Sequence, residues 1–152
     1  MTEASGKTPI HLWIVGFLSL LWNAIGGYDY TMTQMHNRAY IEATMGPMGM
    51  TYDQAVAFFD SFPMWADALW ALGVWGSVAG SVALLLRSRH AVTAFLVSLI
   101  GAALSFSYQA TLEWPPELVS SAASKFMPVV IVVLVALQLW YARRQSKAGV
   151  LR

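Results

Sequence analysis

The sequence predicts an all-α fold: a polytopic membrane protein whose four transmembrane helices form an antiparallel bundle, with a partly helical extracytoplasmic loop. The first observation is composition, because 57% of the 152 residues are hydrophobic and only 11% are charged. Soluble domains carry about 25% charged residues. The second observation is four separate apolar stretches, each near the roughly 20 residues that a helix needs to cross a bilayer. The whole chain, residues 1–152, is therefore expected to form one membrane domain.

The predicted transmembrane helices cover about residues 10–27, 63–87, 91–111 and 126–142, and residues 28–62 form the extracytoplasmic loop. Charge predicts their orientation, because loops rich in Lys and Arg stay in the cytoplasm. Both termini are thus predicted to be cytoplasmic, in a bacterial inner membrane. Most of the basic residues lie on that side: Lys7, Arg87, Arg89, Arg143, Arg144, Lys147 and Arg152.

The first helix has two possible ends in the sequence. Polar residues recur at spacings of three and four beyond the apolar stretch, at Asp29, Thr33, His36, Asn37 and Tyr40, which indicates a helix that continues past Asp29. In that interpretation Gly46-Pro47 stops the helix, since Gly caps helices and Pro cannot continue them. The alternative is a break at Gly26-Gly27.

The loop and the second helix carry recognisable start signals. Thr51 and Gln54 have the spacing of a capping box, in which each side chain bonds the backbone N–H of the other residue. Pro63 suits the first turn of the second transmembrane helix. These signals predict a short helix within the loop and a defined start for the helix that follows.

Small residues mark the expected contacts between helices. Because lipid supplies no hydrophobic force between helices, close packing of small residues holds membrane bundles together. Trp75 lies near the predicted midplane, where its indole N–H would need a partner. Otherwise only Ser, Thr and Gly are expected to interrupt the apolar middle of the four helices. The predicted packing residues are Gly73, Gly76, Ser77, Gly80, Ser98, Gly101 and Ser105.

The candidate binding site lies at the outer ends of three helices. Carboxylates at membrane depth are costly and indicate function by default, although near the interface they are cheaper, and Asp67 also suits a helix N-terminus. We expect Asp29, Asp67 and Glu113 to converge at the outer rim, where they could bind a solute or a cation. The accompanying polar and aromatic residues are Gln109, Tyr28, Tyr30, Trp65, Tyr108 and Trp114.

A Cu(I) site is a further alternative, because Met32, Met35 and His36 share one predicted helical face and thioethers and imidazole suit that ion. Met is also a general packing residue, and neither a metal nor another cofactor is expected. Cysteine is absent, which excludes disulfides and thiolate chemistry. The sequence contains no phosphate-binding loop, no zinc-protease motif and no nucleophile elbow. An enzyme is therefore not expected, and the dispersed basic residues suit lipid headgroups rather than nucleic acid.

Three segments resemble a family of short four-helix membrane proteins of alphaproteobacteria. They are Tyr28-Asp29-Tyr30-Thr31-Met32-Thr33, the stretch from Phe62 to Trp70, and the Tyr141-Ala142-Arg143-Arg144 ending. The resemblance covers most of the chain and implies the four-helix architecture. The family has no established activity, although some members carry an automatic "sugar transporter" label.

Two classes of function fit these features. The first is a non-enzymatic accessory or structural subunit that packs against a larger membrane complex or against itself, so a protein partner or a homo-oligomer is expected besides the bilayer. The second is a small transporter or binding protein for a cation or a sugar-like solute, with the outer carboxylates and aromatic rings as its site. Transport requires polar groups deeper in the membrane.

The predicted orientation can be tested by cysteine labelling, because the chain has no native Cys. In intact cells, Ser61→Cys and Ser121→Cys should react with a membrane-impermeant maleimide, and Ser146→Cys should react only after lysis. The reverse pattern would contradict cytoplasmic termini.

Overall fold

The protein is described by a computed structural model for residues 8–116 and 122–152, with the backbone alone for 122–124. Within these residues, six α-helices and one short 3-10 helix, Gly46–Met48, are described, and no strand occurs. The α-helices are α1 (Ile10–Gln34), α2 (Arg38–Met45), α3 (Tyr52–Asp60), α4 (Met64–Leu85), α5 (His90–Gln109) and α6 (Ala122–Lys147).

Four helices are long and apolar enough to cross a membrane: α1, α4, α5 and the Lys125–Lys147 part of α6. Their outward surfaces carry large apolar side chains, such as Phe17 and Val129, each 61% exposed. Water-exposed patches of this extent are unusual on soluble monomers. The protein is therefore a membrane protein.

α1 continues seven residues past the predicted end of the first span, through Asp29 to Gln34. It stops at neither Gly26-Gly27 nor Gly46-Pro47. The helix ends because His36 has a φ of 49°, a left-handed conformation that cannot continue a right-handed helix. Asn37 then caps α2 by accepting a hydrogen bond from the backbone N–H of Tyr40.

The other helix boundaries lie close to the predicted ones, except for α6. The capping box of Thr51 and Gln54 is confirmed at the start of α3, and Pro63 is the N-cap of α4. α6 extends from Ala122 to Lys147, beyond both ends of the predicted 126–142 span. The additional residues are more polar, so hydropathy alone could not include them.

α4 and α5 have the closest backbones of the bundle. Ideal Cβ atoms built on Gly73 and Gly76 would lie 3.0 Å from the backbone of Ala102 and Ser98. A Cβ on Gly101 would lie 2.7 Å from the backbone nitrogen of Gly73. Ser98 also donates a hydrogen bond to the Gly73 carbonyl. As residue numbers rise along α4, those of the neighbours on α5 fall.

α1 also packs on α4, and α6 packs on α5. At the end of the bundle that carries the α4–α5 turn, which we call the turn end, one apolar core joins all four helices. Its buried residues are Leu12, Leu84, Ala91, Phe95, Leu139, Ala142 and Leu151. The C-terminal residues that follow α6, which we call the tail, contribute Leu151 to this core. They are held against the α4–α5 turn because the Arg152 backbone N–H donates to the Arg87 carbonyl (2.7 Å) and the Arg152 carbonyl accepts from the Arg89 N–H (2.9 Å).

The α4–α5 contact predicts opposite effects for two glycine substitutions. Gly101→Ala should destabilise the bundle by about 1–3 kcal/mol, because its Cβ would overlap the α4 backbone. Gly26→Ala is the control, since a Cβ at Gly26 has no neighbour within 4 Å, and it should stabilise α1 by about 0.5–1 kcal/mol. Unfolding in mixed micelles by SDS, followed by circular dichroism, measures both. Equal stability of the two variants would contradict the close approach.

Candidate functional site

Two of the predicted carboxylates, Asp29 and Asp67, lie at the opposite end of the bundle, which we call the loop end, and each has its own partner. Asp29 accepts a hydrogen bond of 2.6 Å from the hydroxyl of Tyr40. Asp67 accepts one of 2.9 Å from the side-chain amide of Gln34. Neither donor was among the predicted site residues. The Tyr40 bond thus attaches α2 to α1, and the Gln34 bond joins α1 to α4. The convergence of the carboxylates on one ligand stays a prediction.

Tyr40 is held against α1 by two contacts. Its ring stands edge-on to that of Tyr28, with centroids 5.4 Å apart. Burial, and then the hydrogen bond and charge of Asp29, raise the pKa of the Tyr40 phenol well above its ordinary value. The phenol therefore stays protonated over the physiological range and remains a donor to Asp29.

The remaining predicted site residues follow α5. Glu113 is exposed beyond the end of α5. Gln109 donates to the hydroxyl of Ser105, one turn earlier. Tyr108 packs edge-on against Trp65, with centroids 4.7 Å apart. These contacts bring Trp65 and Tyr108 together, and they engage Gln109 within its own helix.

A continuous aromatic cluster joins the loop to α1, α4 and α5 at the loop end. The Tyr30 ring stands edge-on to Trp70 with centroids 4.9 Å apart, and Phe59 stacks on Trp70 at 5.8 Å. The Trp114 indole donates a 2.7 Å hydrogen bond to the Gln109 carbonyl, which fixes its position over α3. Cluster members are Tyr30, Phe58, Phe59, Phe62, Trp65, Trp70, Tyr108 and Trp114.

The residues of the Cu(I) alternative have different surroundings. His36 lies outside α1, where its Nε2 contacts the Asp60 carboxylate at 2.9 Å. Met35 is 69% exposed, and Met32 lines a small depression beside Trp75. The predicted common helical face therefore does not form, because α1 ends at Gln34. In the described residues no group of three or more His, Asp or Glu side chains could hold a metal.

The sequence-based expectation that only Ser, Thr, Gly and Trp75 interrupt the apolar middle of the helices is wrong. The Asn23 side-chain amide donates to the Ser77 carbonyl (3.1 Å), to the Ser81 hydroxyl (2.9 Å) and to Gln138 Oε1 (3.1 Å). Ser81 also donates to the Ser77 carbonyl at 3.0 Å. This polar network, Asn23–Ser77–Ser81–Gln138, is buried and joins α1, α4 and α6.

A signal for the network was present in the sequence. Asn23 and Gln138 are side-chain amides within apolar stretches, and buried amides need partners. Because the two residues are 115 positions apart, the sequence alone does not indicate that they pair with each other. Trp75, for which a partner was expected, is half exposed and covers Gly27 with its ring.

Comparison of the chain with family models, with curated proteins and with solved structures gives no match. The resemblance to the four-helix family therefore stays a prediction.

The Tyr40–Asp29 bond predicts how the loop is attached. Tyr40→Phe should speed hydrogen exchange of the α2 amides about tenfold, because one hydrogen bond to a charged group contributes roughly 1.5 kcal/mol. Exchange in α4 and α5 should not change. Tyr28→Phe keeps its ring contact and is the matched control. Equal α2 exchange in both variants would contradict the role of the bond.

Proposed function

We propose that this chain is a small bacterial inner-membrane protein with both termini in the cytoplasm, built as an antiparallel four-helix bundle. We further propose that it acts without catalysis, as an accessory or structural subunit that packs against a larger membrane complex or against a second copy. The observation that carries this proposal is the Asn23–Ser77–Ser81–Gln138 network. Its polar groups bond to one another across three helices.

Internal hydrogen bonds of this kind favour a fixed scaffold. A transport path needs polar groups that can exchange partners as the solute passes. Here the Asn23 amide bonds to the α4 backbone, and Ser98 of α5 bonds to the Gly73 carbonyl. Moving either helix away from α4 would break these bonds in a medium that offers no replacement. The arrangement therefore suits a subunit of constant shape.

The alternative function, binding or transport of a cation or a sugar-like solute, is favoured by one feature. Asp67 is partly exposed, lies two positions after Trp65 in the chain, and precedes Trp70 by one helical turn. Trp70 in turn contacts the Tyr30 ring. A carboxylate beside aromatic rings suits either ligand. Asp67 is also engaged by Gln34, so a solute would have to replace that amide.

Native mass spectrometry after purification in a mild detergent separates the two functions. A stoichiometric complex, with defined partners or with a second copy, supports the accessory role. Gly101→Ala should weaken that complex, because it loosens the bundle that the partner packs against. Asp67→Asn should leave the complex intact. The contrary result is a monomer that accumulates a solute in proteoliposomes and loses this uptake on Asp67→Asn.

A further inference from the structure

A groove of about 380 Å³ lies between α1 and α6, where the two helices meet through side chains and not through close backbones. Among the described side chains, two hydrogen bonds bridge these helices, His11–Tyr141 and Asn23–Gln138. The groove is lined by apolar side chains, two indoles and three polar residues: Val15, Leu18, Ser19, Trp22, Leu134, Leu137, Gln138, Trp140 and Tyr141.

The network fixes which end of the Gln138 amide is available to the groove. The Ser77 carbonyl can only accept, so the Asn23 atom bonded to it at 3.1 Å must be the amino group. That amino group also faces Gln138, which must therefore present its oxygen, Oε1. The two N–H donors of Gln138 Nε2 then have no hydrogen-bond partner within the described residues.

Ser19 is the second donor that lines the groove. It precedes Asn23 by one helical turn, and no side chain or carbonyl of residues 8–116 or 125–152 bonds its hydroxyl. Ser19 is 7% exposed and Gln138 is 8% exposed, so both are more than nine-tenths buried. Their polar atoms keep some accessible surface, because no fully enclosed side-chain polar atom of the described residues lacks a partner. That remaining surface belongs to residues that line the groove.

Unpartnered donors inside a membrane indicate the chemistry of an occupant. A donor left without a partner in hydrocarbon is costly, so the occupant should bring an acceptor oxygen to this depth. The volume is within the roughly 300–1,000 Å³ of small-molecule sites, which are mostly apolar with a few polar groups. No Asp, Glu, Lys, Arg or His side chain of the described residues lines the groove, and the Tyr141 phenol is hydrogen-bonded to the His11 imidazole. A neutral ligand therefore fits best.

We propose that the α1–α6 groove binds a neutral, membrane-soluble lipophile of the quinone class. Its ring carbonyl oxygen accepts hydrogen bonds from Gln138 Nε2 and Ser19 Oγ, and its planar ring contacts the indoles of Trp22 and Trp140. A phospholipid chain fits the apolar walls but holds its ester oxygens at the interface, away from these donors. A helix of a partner protein is about 10 Å wide. It would not fit between α1 and α6, because two hydrogen bonds already hold these helices together across the groove.

Competition photolabelling in nanodiscs tests the proposal directly. The photoprobe is an alkyl benzophenone, a neutral lipophile with a carbonyl, and decylubiquinone is the competitor. The probe should label peptides of α1 and α6, and decylubiquinone should suppress that labelling with saturation. Gln138→Met and Ser19→Ala should each raise the half-suppressing concentration about fivefold, the value of one ordinary hydrogen bond.

Both variants are expected to fold. Gln138→Met leaves the two Asn23 donors with the Ser77 carbonyl and the Ser81 hydroxyl, and Ser19→Ala removes no described bond. Ser107→Ala on α5 is the matched control, because its hydroxyl bonds only the Ala103 carbonyl outside the groove, and it should not change suppression.

Three results of the suppression measurements would overturn the proposal. They are labelling that decylubiquinone does not suppress, equal suppression by hexadecane, which has no oxygen, and unchanged suppression in both groove variants. Cross-linking of the groove to another protein's helix in place of the probe would do the same. The experiment measures a ligand and not a complex, so its failure leaves the proposed accessory role unaffected.

Discussion

The close approach of the α4 and α5 backbones is the contact on which the rest of the bundle depends. Inside a membrane no hydrophobic force pulls apolar helices together, so association rests on packing and hydrogen bonds. Gly73, Gly76 and Gly101 remove the side chains that would hold the backbones apart. The Ser98 hydroxyl then reaches the Gly73 carbonyl. With α4 placed in this way, an adjacent face of the same helix is available to α1 through Ser77 and Ser81.

The two ends of the bundle are closed by different means, and each suits its surroundings. At the turn end, Leu151 of the tail fills a core beside Leu12 and Phe95, and the tail backbone pairs with the α4–α5 turn. At the loop end, the Asp29–Tyr40 bond attaches α2, and the ring contacts Phe59–Trp70 and Phe58–Trp114 attach α3. Aromatic side chains with a polar atom are favoured at such boundaries, where one end of the residue is apolar and the other wet.

Local patterns in the sequence predicted most of the fold. Hydropathy located all four long helices, the Thr51–Gln54 spacing located α3, and the recurrence of Gly and Ser located the residues at the α4–α5 contact. Contacts between distant residues could not be predicted in this way. The His36 conformation that ends α1 has no propensity signal, and the pairing of Asn23 with Gln138 depends on how α1 and α6 are placed around α4.

The amide of Asn23 explains why the groove keeps free donors at membrane depth. Its amino group has two hydrogens and three acceptors within reach, so Gln138 is not needed to satisfy it. Gln138 must nevertheless turn its oxygen toward Asn23, because two amino groups would repel each other there. The orientation that completes the network therefore leaves the remaining Gln138 donors outside it, on a residue that lines the groove together with Ser19 and two indoles. Structural stability and ligand recognition thus use opposite ends of one side chain.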